Sequence, residues 1–280
     1  MAALFAAACR TPTKVRETTT NLPTARDNEI AITEQTIVLD ARPYFQYTSG
    51  HLPQAIPVRW EDFSRPGANN KAELDPDYFS LARRLSRLGI SPDTPVVVLG
   101  NGAGGNGEEG RVAWVLALLG VKRVQFALDS HFEGKRMAGE PSPAKNAAIW
   151  KPHPVFDLLV SRKELLDSAK KMTTPGTEPV VILDVRAASD YLKKPANQID
   201  LGSINIEWKN FLDERGRPRR AILRDLQAVG IDPGERIIVL SDDGVKSATV
   251  TMALRELGYP RAGNFSEGLN GLATQGRKRP

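Results

Sequence analysis

An internal repeat limits the folds open to this chain more than any single motif does. The segment 37–42, IVLDAR, returns at 181–186 as VILDVR, about 140 residues further along the chain. Three more pairs of blocks follow in the same order in both halves: 56–63 with 204–211, 88–99 with 229–240, and 118–121 with 256–259. Because both order and spacing recur, we predict two copies of one domain within the 280 residues.

Each copy alternates short apolar segments with segments of helical pattern. The short segments are rich in Val, Ile and Leu and are bounded by turn residues, as is typical of buried parallel strands. They comprise 37–39, 96–99, 181–183 and 237–240. Helical periodicity is present at 77–88 and 247–257. The alternation predicts the α/β class, with two tandem domains that each form an open parallel sheet flanked by helices.

The repeat also predicts the domain boundaries. The segment 141–154 contains four prolines, which disfavour regular structure, so we interpret it as a linker. It separates an N-terminal domain at 29–140 from a C-terminal domain at 155–275. Residues 1–28 precede both copies, and we expect them to form a leader and tether outside the fold.

The N-terminal residues hold the only cysteine of the chain, Cys9. Small apolar residues precede it and a polar stretch follows it, an order that resembles the end of a bacterial lipoprotein signal. That resemblance makes Cys9 a lipidation candidate, with attachment to a membrane only through this anchor and a place in the cell envelope or periplasm. An alanine-rich terminus with an incidental cysteine, as in a cytoplasmic protein, is the alternative.

Composition excludes several classes of function. No run approaches the ~18 apolar residues of a membrane span. One cysteine and three histidines argue against disulfides and against cysteine-rich or histidine-rich metal centres, so we expect no metal. The 38 basic residues are nearly balanced by 33 acidic ones, and the local excess at 209–224 lacks interleaved aromatic residues. We therefore interpret 209–224 as a solvated basic loop and expect no nucleic-acid binding.

The loop after the segment 237–240 is the candidate ligand site, because ligands of parallel sheets bind beyond the carboxyl ends of the strands. Its residues are Ser241, Asp242, Asp243, Gly244, Val245, Lys246 and Ser247. A glycine-containing turn at a helix start points N–H groups at an anion, and Lys246 would reinforce the attraction. Asp242 and Asp243 oppose it. We expect a small anionic or sulfur-containing ligand, or a protein partner, and the groove between the two copies is the default ligand site.

Each copy also carries an aspartate and an arginine at the end of its first repeated strand. The pairs are Asp40 with Arg42 and Asp184 with Arg186. Arg186 is a candidate ligand contact beside the loop, while a hydrogen-bonded pair that holds the turn explains the same pattern. Both interpretations stay open at the level of sequence.

The chain resembles the tandem rhodanese sulfurtransferases, which include the thiosulfate and mercaptopyruvate enzymes, from about residue 29 to 273. The resemblance rests on LDAR at 39–42, GHLPQAIPV at 50–58, LDVR at 183–186 and the strand, loop and helix at 237–257. It implies two rhodanese-like domains and, at the first loop position of the second, a cysteine that carries sulfur as a persulfide. Here that position is Ser241.

A serine hydroxyl cannot form a persulfide, and it generally needs a positioned base to act as a nucleophile. The resemblance together with Ser241 therefore predicts a catalytically impaired or inactive sulfurtransferase homologue, a pseudoenzyme with a binding or regulatory role. The alternative is an active thiosulfate or mercaptopyruvate sulfurtransferase that works by an unrecognised route.

The segment 100–105 fits the GxGxxG pattern of dinucleotide-binding loops. Glu108 and Glu109 stand near the start of the next helix, where a pyrophosphate would bind. We therefore interpret the segment as a flexible glycine-rich loop and expect no cofactor.

Overall fold

The computed structural model describes residues 24–25, 30–68, 72–139, 146–171, 180–193 and 200–274. The strands are β1 Thr24–Ala25, β2 Ile37–Asp40, β3 Ala55–Pro57, β4 Pro95–Gly100, β5 Arg123–Leu128, β6 Phe132–Glu133, β7 Val180–Asp184, β8 Ile204–Asn205, β9 Arg236–Leu240 and β10 Ala262–Asn264. The helices are α1 Tyr44–Ser49, α2 Tyr78–Arg87, α3 Glu108–Leu119, α4 Arg162–Lys171, α5 Ala188–Leu192, α6 Ile222–Ala228, α7 Val245–Glu256 and α8 Gly268–Thr274.

Two parallel four-stranded sheets with the same strand order confirm the two copies. The first sheet has the order β3-β2-β4-β5 and the second has β8-β7-β9-β10. The registers also agree, since Asp40 pairs with Leu99 in the first sheet and Asp184 pairs with Leu240 in the second. Helices flank both sheets, so the α/β class and the paired-domain architecture are confirmed. The central strands are buried, as their continuous apolar runs predict.

Helices α3 and α7, one from each domain, pack against each other in the middle of the molecule. Both are buried on almost every face, which explains why neither shows a strong amphipathic pattern. Their backbones approach closely where Gly110 meets Thr249, because a Cβ on Gly110 would lie 2.5 Å from the Thr249 Cα. The Thr249 hydroxyl donates to the Gly107 carbonyl at 2.9 Å. The two domains therefore share one hydrophobic core.

The basic loop of the second domain is not simply solvated, which corrects the interpretation drawn from its charge. Arg217 is buried, and its Nη1 donates to the Phe126 carbonyl at 2.7 Å. The Leu128 N–H donates to the Arg215 carbonyl at 2.8 Å. These bonds cover the carboxyl half of β5, the edge strand of the first sheet, and so protect a row of otherwise unpaired backbone groups.

The predicted leader and linker are only partly described. Thr24–Ala25 pairs with Phe132–Glu133, so the chain contacts the first domain before residue 29. The described linker residues, 146–154, form no helix or strand, and the Trp150 indole donates to the Ile90 carbonyl at 2.9 Å. Cys9 lies outside the described residues. Within the part that is described, no helix combines the length and the apolar character needed to cross a membrane.

Candidate functional site

The loop between β9 and α7 is shaped by Gly244. This residue has a φ of 79°, in the left-handed region that favours glycine. A Cβ at this position would lie 2.8 Å from the Ser266 Cα, so no larger residue fits without movement. Helix α8 begins directly beside the loop, and the Leu269 and Asn270 N–H groups donate to the carbonyls of Ser241 and Asp242, each at 2.9 Å. The loop is therefore tightly fixed from two sides.

Ser241 is fully buried, with 0% of its surface exposed. Its Oγ accepts from the N–H groups of Gly244 at 3.1 Å and Ser247 at 3.4 Å. The Ser247 hydroxyl donates its proton to Asn264 Oδ1 at 2.6 Å. In the 3.1 Å contact between the two hydroxyls, Ser241 is therefore the donor and Ser247 is the acceptor. The Ser241 hydroxyl thus has a full set of partners, and none of these partners is a histidine or a carboxylate that could act as a base.

The two loop aspartates have different environments. Asp243 Oδ1 accepts from the Val245 N–H at 3.0 Å and so satisfies a free donor at the start of α7. Asp242 is half-buried and lies 3.6 Å from Arg186, measured from Oδ1 to Nη1. Burial raises the pKa of Asp242, and the positive charges of Arg186 and Lys246 oppose this rise. The mouth of the loop therefore combines two partly buried carboxylates, those of Asp242 and Asp243, with two cations.

Arg186 is held by Asp184 in a bidentate ion pair. Its Nε lies 3.0 Å from both carboxylate oxygens, and its Nη2 lies 2.7 Å from Oδ2. The first domain repeats the geometry, with Arg42 Nη2 donating to Asp40 and Nη1 donating to Asp129 at 2.8 Å. The sequence left two interpretations of these residues open, a ligand contact and a hydrogen-bonded pair that holds the turn. The hydrogen-bonded pair is present in both domains. Arg186 also reaches the loop through Asp242.

Arg111 connects the first domain to this loop, although it is not among the site residues that the sequence predicts. It projects from α3, is fully buried, and donates to the Gly244 carbonyl at 3.3 Å and to the Ala72 carbonyl at 2.6 Å. Burial lowers the pKa of Arg111 to about 10, and the charge of Asp243 opposes this fall. An arginine within an otherwise apolar helical segment is the signal that could have identified it. Asn264, which receives the Ser247 proton, was also missed.

In the first domain, a different side chain fills the space that corresponds to that of Ser241. In the repeat, Gly100 takes the position of Ser241, and a Cβ on Gly100 would lie 2.7 Å from the Glu109 Cβ and overlap the Glu109 carboxyl group. Glu109 is fully buried, and neither carboxyl oxygen has a hydrogen bond of normal geometry in the described structure. A glutamate side chain, not an open loop, therefore fills this space.

The environment of Glu109 favours the protonated carboxyl group. Burial raises the pKa of Glu109 to about 8, and the charge of Glu108 adds to the rise. The N–H groups of Glu109 and Gly102 lie near enough to oppose the rise. The Glu109 side chain occupies the space beside Gly100, and the interpretation of 100–105 as a glycine-rich loop stays a prediction.

The buried hydroxyl network of Ser241 has a measurable consequence for stability. We expect Ser241→Ala to lower the free energy of unfolding by about 1 to 3 kcal/mol, because two buried N–H groups lose their acceptor. Urea denaturation measures the loss. Ser49→Ala is the matched control, since the Ser49 hydroxyl donates to Phe45 on an exposed helix, and it should change stability by less than about 0.5 kcal/mol. Equal effects of the two substitutions would contradict the network.

The chain is a tandem α/β protein, because two similar domains with parallel sheets share one core. Its candidate site is the nest-like loop at the carboxyl end of the second sheet. Comparison with known families makes the assignment specific. The rhodanese-like domain family matches this chain twice, at residues 25–134 and 165–275. The chain therefore belongs to the rhodanese family, with two tandem rhodanese-like domains.

Individual relatives agree with this assignment over most of the chain. The thiosulfate sulfurtransferase of Azotobacter vinelandii is 26% identical over 244 residues, which cover 82% of this chain and 85% of that protein. The thiosulfate sulfurtransferase of Bos taurus is 25% identical over 226 residues, which cover 77% and 74%. The structure of the 3-mercaptopyruvate sulfotransferase SseA from Escherichia coli has a TM-score of 0.70 at 19% identity, covering 84% of this chain and 93% of that one. This last likeness supports the fold.

Proposed function

We propose that this rhodanese-family protein is catalytically impaired or inactive as a sulfurtransferase, and that its second-domain loop has a binding or regulatory role. The observation that carries the proposal is the state of Ser241. We take this residue to stand at the position of the family's sulfur-carrying cysteine, where its buried hydroxyl has a full set of hydrogen-bond partners and no base beside it.

The charges around the loop support the same proposal. A thiosulfate donor is a dianion, and it would approach a loop mouth that already contains Asp242 and Asp243. Arg186, a cation beside the loop, is engaged by Asp184 and faces Asp242. The only cysteine, Cys9, lies in the segment before both repeats. A small ligand that presents both an anionic and a polar group would suit this mixture of charges better than a simple anion.

Sulfur transfer to cyanide from thiosulfate and from mercaptopyruvate tests the proposal. We expect the native protein to give no turnover above the uncatalysed rate, because the Ser241 hydroxyl cannot hold sulfur as a persulfide. We expect Ser241→Cys to give turnover at least about tenfold above background, because the Gly244 and Ser247 N–H groups already point at this atom and would stabilise a thiolate.

The control for this experiment is Ser49→Cys, which adds a thiol on the exposed side of α1, in the first domain. It should remain as inactive as the native protein. Turnover by the native protein would contradict the proposal and favour an active sulfurtransferase that works by another route. A silent Ser241→Cys variant, with the native protein also silent, would mean that the loop has diverged beyond sulfur-transfer chemistry, which favours a binding role.

A further inference from the structure

A groove runs between the two domains at the end of α7 that is remote from the loop. Two cavities of about 490 Å³ each form it, and they lie side by side because both are lined by Gln125 and Glu256. Because α7 extends over 12 residues, the groove lies about 15 Å from the loop at 241–247. It is therefore separate from the candidate site, and a ligand bound in it would add a role beyond the proposed function.

The floor of the groove contains a free strand edge. Strand β5 is the edge of the first sheet, and Arg215 and Arg217 cover only its carboxyl half. By the alternation of a strand, Val124 directs its N–H and carbonyl to the same side as Phe126 and Leu128. No hydrogen bond reaches Val124 from that side in the described part of the chain, and Val124 lines the first cavity. The amino half of β5 thus offers backbone groups for pairing.

The charge of the groove is strongly asymmetric. Seven arginine and lysine residues line the two cavities against three acidic ones. All three acidic residues have arginine partners within the groove, because Asp213 and Glu214 pair with Arg215 and Glu256 pairs with Arg217. In contrast, three of the cations form no ion pair with any described residue: Arg123, Arg220 and Arg255. The unbalanced charge favours an anionic partner.

The shape and the side chains distinguish between classes of partner. Among the described residues that line the two cavities, none is aromatic, so the groove lacks the surfaces on which the bases of a single-stranded nucleic acid stack. An extended polypeptide, by contrast, can pair with the open edge beside Val124 and fill the elongated space between the domains.

We propose that this interdomain groove binds an acidic peptide segment in an extended conformation. The peptide adds a strand beside Val124, and its carboxylates meet the guanidinium groups of Arg123, Arg220 and Arg255. Backbone pairing supplies affinity that does not depend on sequence, while the three cations select acidic side chains. Since both domains contribute to the walls, the site exists only when the domains are docked on each other.

Fluorescence anisotropy with the full chain tests the proposal. The probe is a pool of fluorescein-labelled octapeptides with Asp or Glu at alternate positions and Val, Ile or Thr between them. We expect binding with a Kd of about 100 µM or tighter, and binding at least about tenfold weaker for the same pool with Lys in place of the acidic residues. Absence of binding by the acidic pool at about ten times that concentration would overturn the proposal.

Four variants separate strand pairing from simple charge attraction. Val124→Pro removes the outward N–H of an edge residue and should weaken binding at least about tenfold, whereas Val124→Thr keeps the N–H and should bind as the native chain does. Arg220→Glu should cost at least about tenfold, and Arg224→Glu, the same charge change on an exposed helix outside the groove, should cost less than about twofold.

Thermal melting of each variant checks that it folds. Native-like binding by Val124→Pro, or an equal loss in Arg224→Glu, would overturn the proposal. So would oligouridine that displaces the acidic peptides and loses its binding in Arg220→Glu, because the groove would then be a nucleic-acid site. None of these readouts depends on sulfur transfer, so the proposed function and the groove succeed or fail separately.

Discussion

Glu109→Gln is expected to remove a loss of stability that the native protein undergoes as the pH rises from about 4.5 towards 8. The carboxyl group has an ordinary pKa of 4.5, and burial raises it to about 8 in the folded protein. The folded state therefore binds this proton more tightly than the unfolded state does. Between these two values the folded state carries more protons, so the free energy of unfolding falls as the pH increases.

The size of this effect is set by the two pKa values. The stabilising contribution of the protonated group is complete below about pH 4.5 and is lost by about pH 8, a change of about 4 to 5 kcal/mol. Glutamine has the same shape and stays neutral throughout. The difference in unfolding free energy between Glu109→Gln and the native chain should thus grow by about this amount over the same range, whatever constant cost the amide adds.

Urea denaturation at half-unit intervals of pH gives the two curves. Glu214→Gln is the matched control, because it removes a carboxylate whose side chain is 86% exposed, and its curve should run parallel to the native one. A constant difference between Glu109→Gln and the native chain at all pH values would show that Glu109 is not a neutral, buried acid in the folded protein.

The strands and the repeat were predictable because their signals are local. The apolar run 96–99 lies within the strand Pro95–Gly100, and the run 237–240 lies within the strand Arg236–Leu240. A short β-branched run flanked by turn residues has few alternatives to a buried strand. The amphipathic segment 77–88 contains the helix Tyr78–Arg87, which its local periodicity predicted. In each of these cases the pattern within a dozen residues is sufficient.

The electrostatic roles were not predictable, because they depend on neighbours that are distant in the chain. In the sequence, Glu109 has the position of an ordinary glutamate in the first turn of a helix, where a negative charge is favourable. Only the packing of α3 on Gly100 makes it a buried acid. Arg217 reads as one member of a solvated basic run, and only the exposed edge of β5 gives it a partner at Phe126. Ser241 could be recognised as unusual from sequence, but not its three-way hydrogen bonding with Gly244 and Ser247.

Gly110→Ala is expected to be severely destabilising even though alanine is the better helix former. In an isolated helix the substitution would gain about 1 kcal/mol. Here the new Cβ would lie 2.5 Å from the Thr249 Cα and overlap the Thr249 hydroxyl, and the obstacle is backbone that cannot rotate away. We expect a net loss on the order of 3 kcal/mol or more, because α3 and α7 must separate along their whole contact. Urea denaturation measures this loss.

Gly104→Ala is the control, since it makes the same change in the preceding loop with nothing within 4 Å of the new Cβ, and it should be nearly neutral. A second variant tests the cause. Adding Thr249→Gly to Gly110→Ala removes two of the three clashing atoms, so the double variant should lose less stability than the sum of the single losses. Simple additivity would mean that the helices do not meet at this crossing.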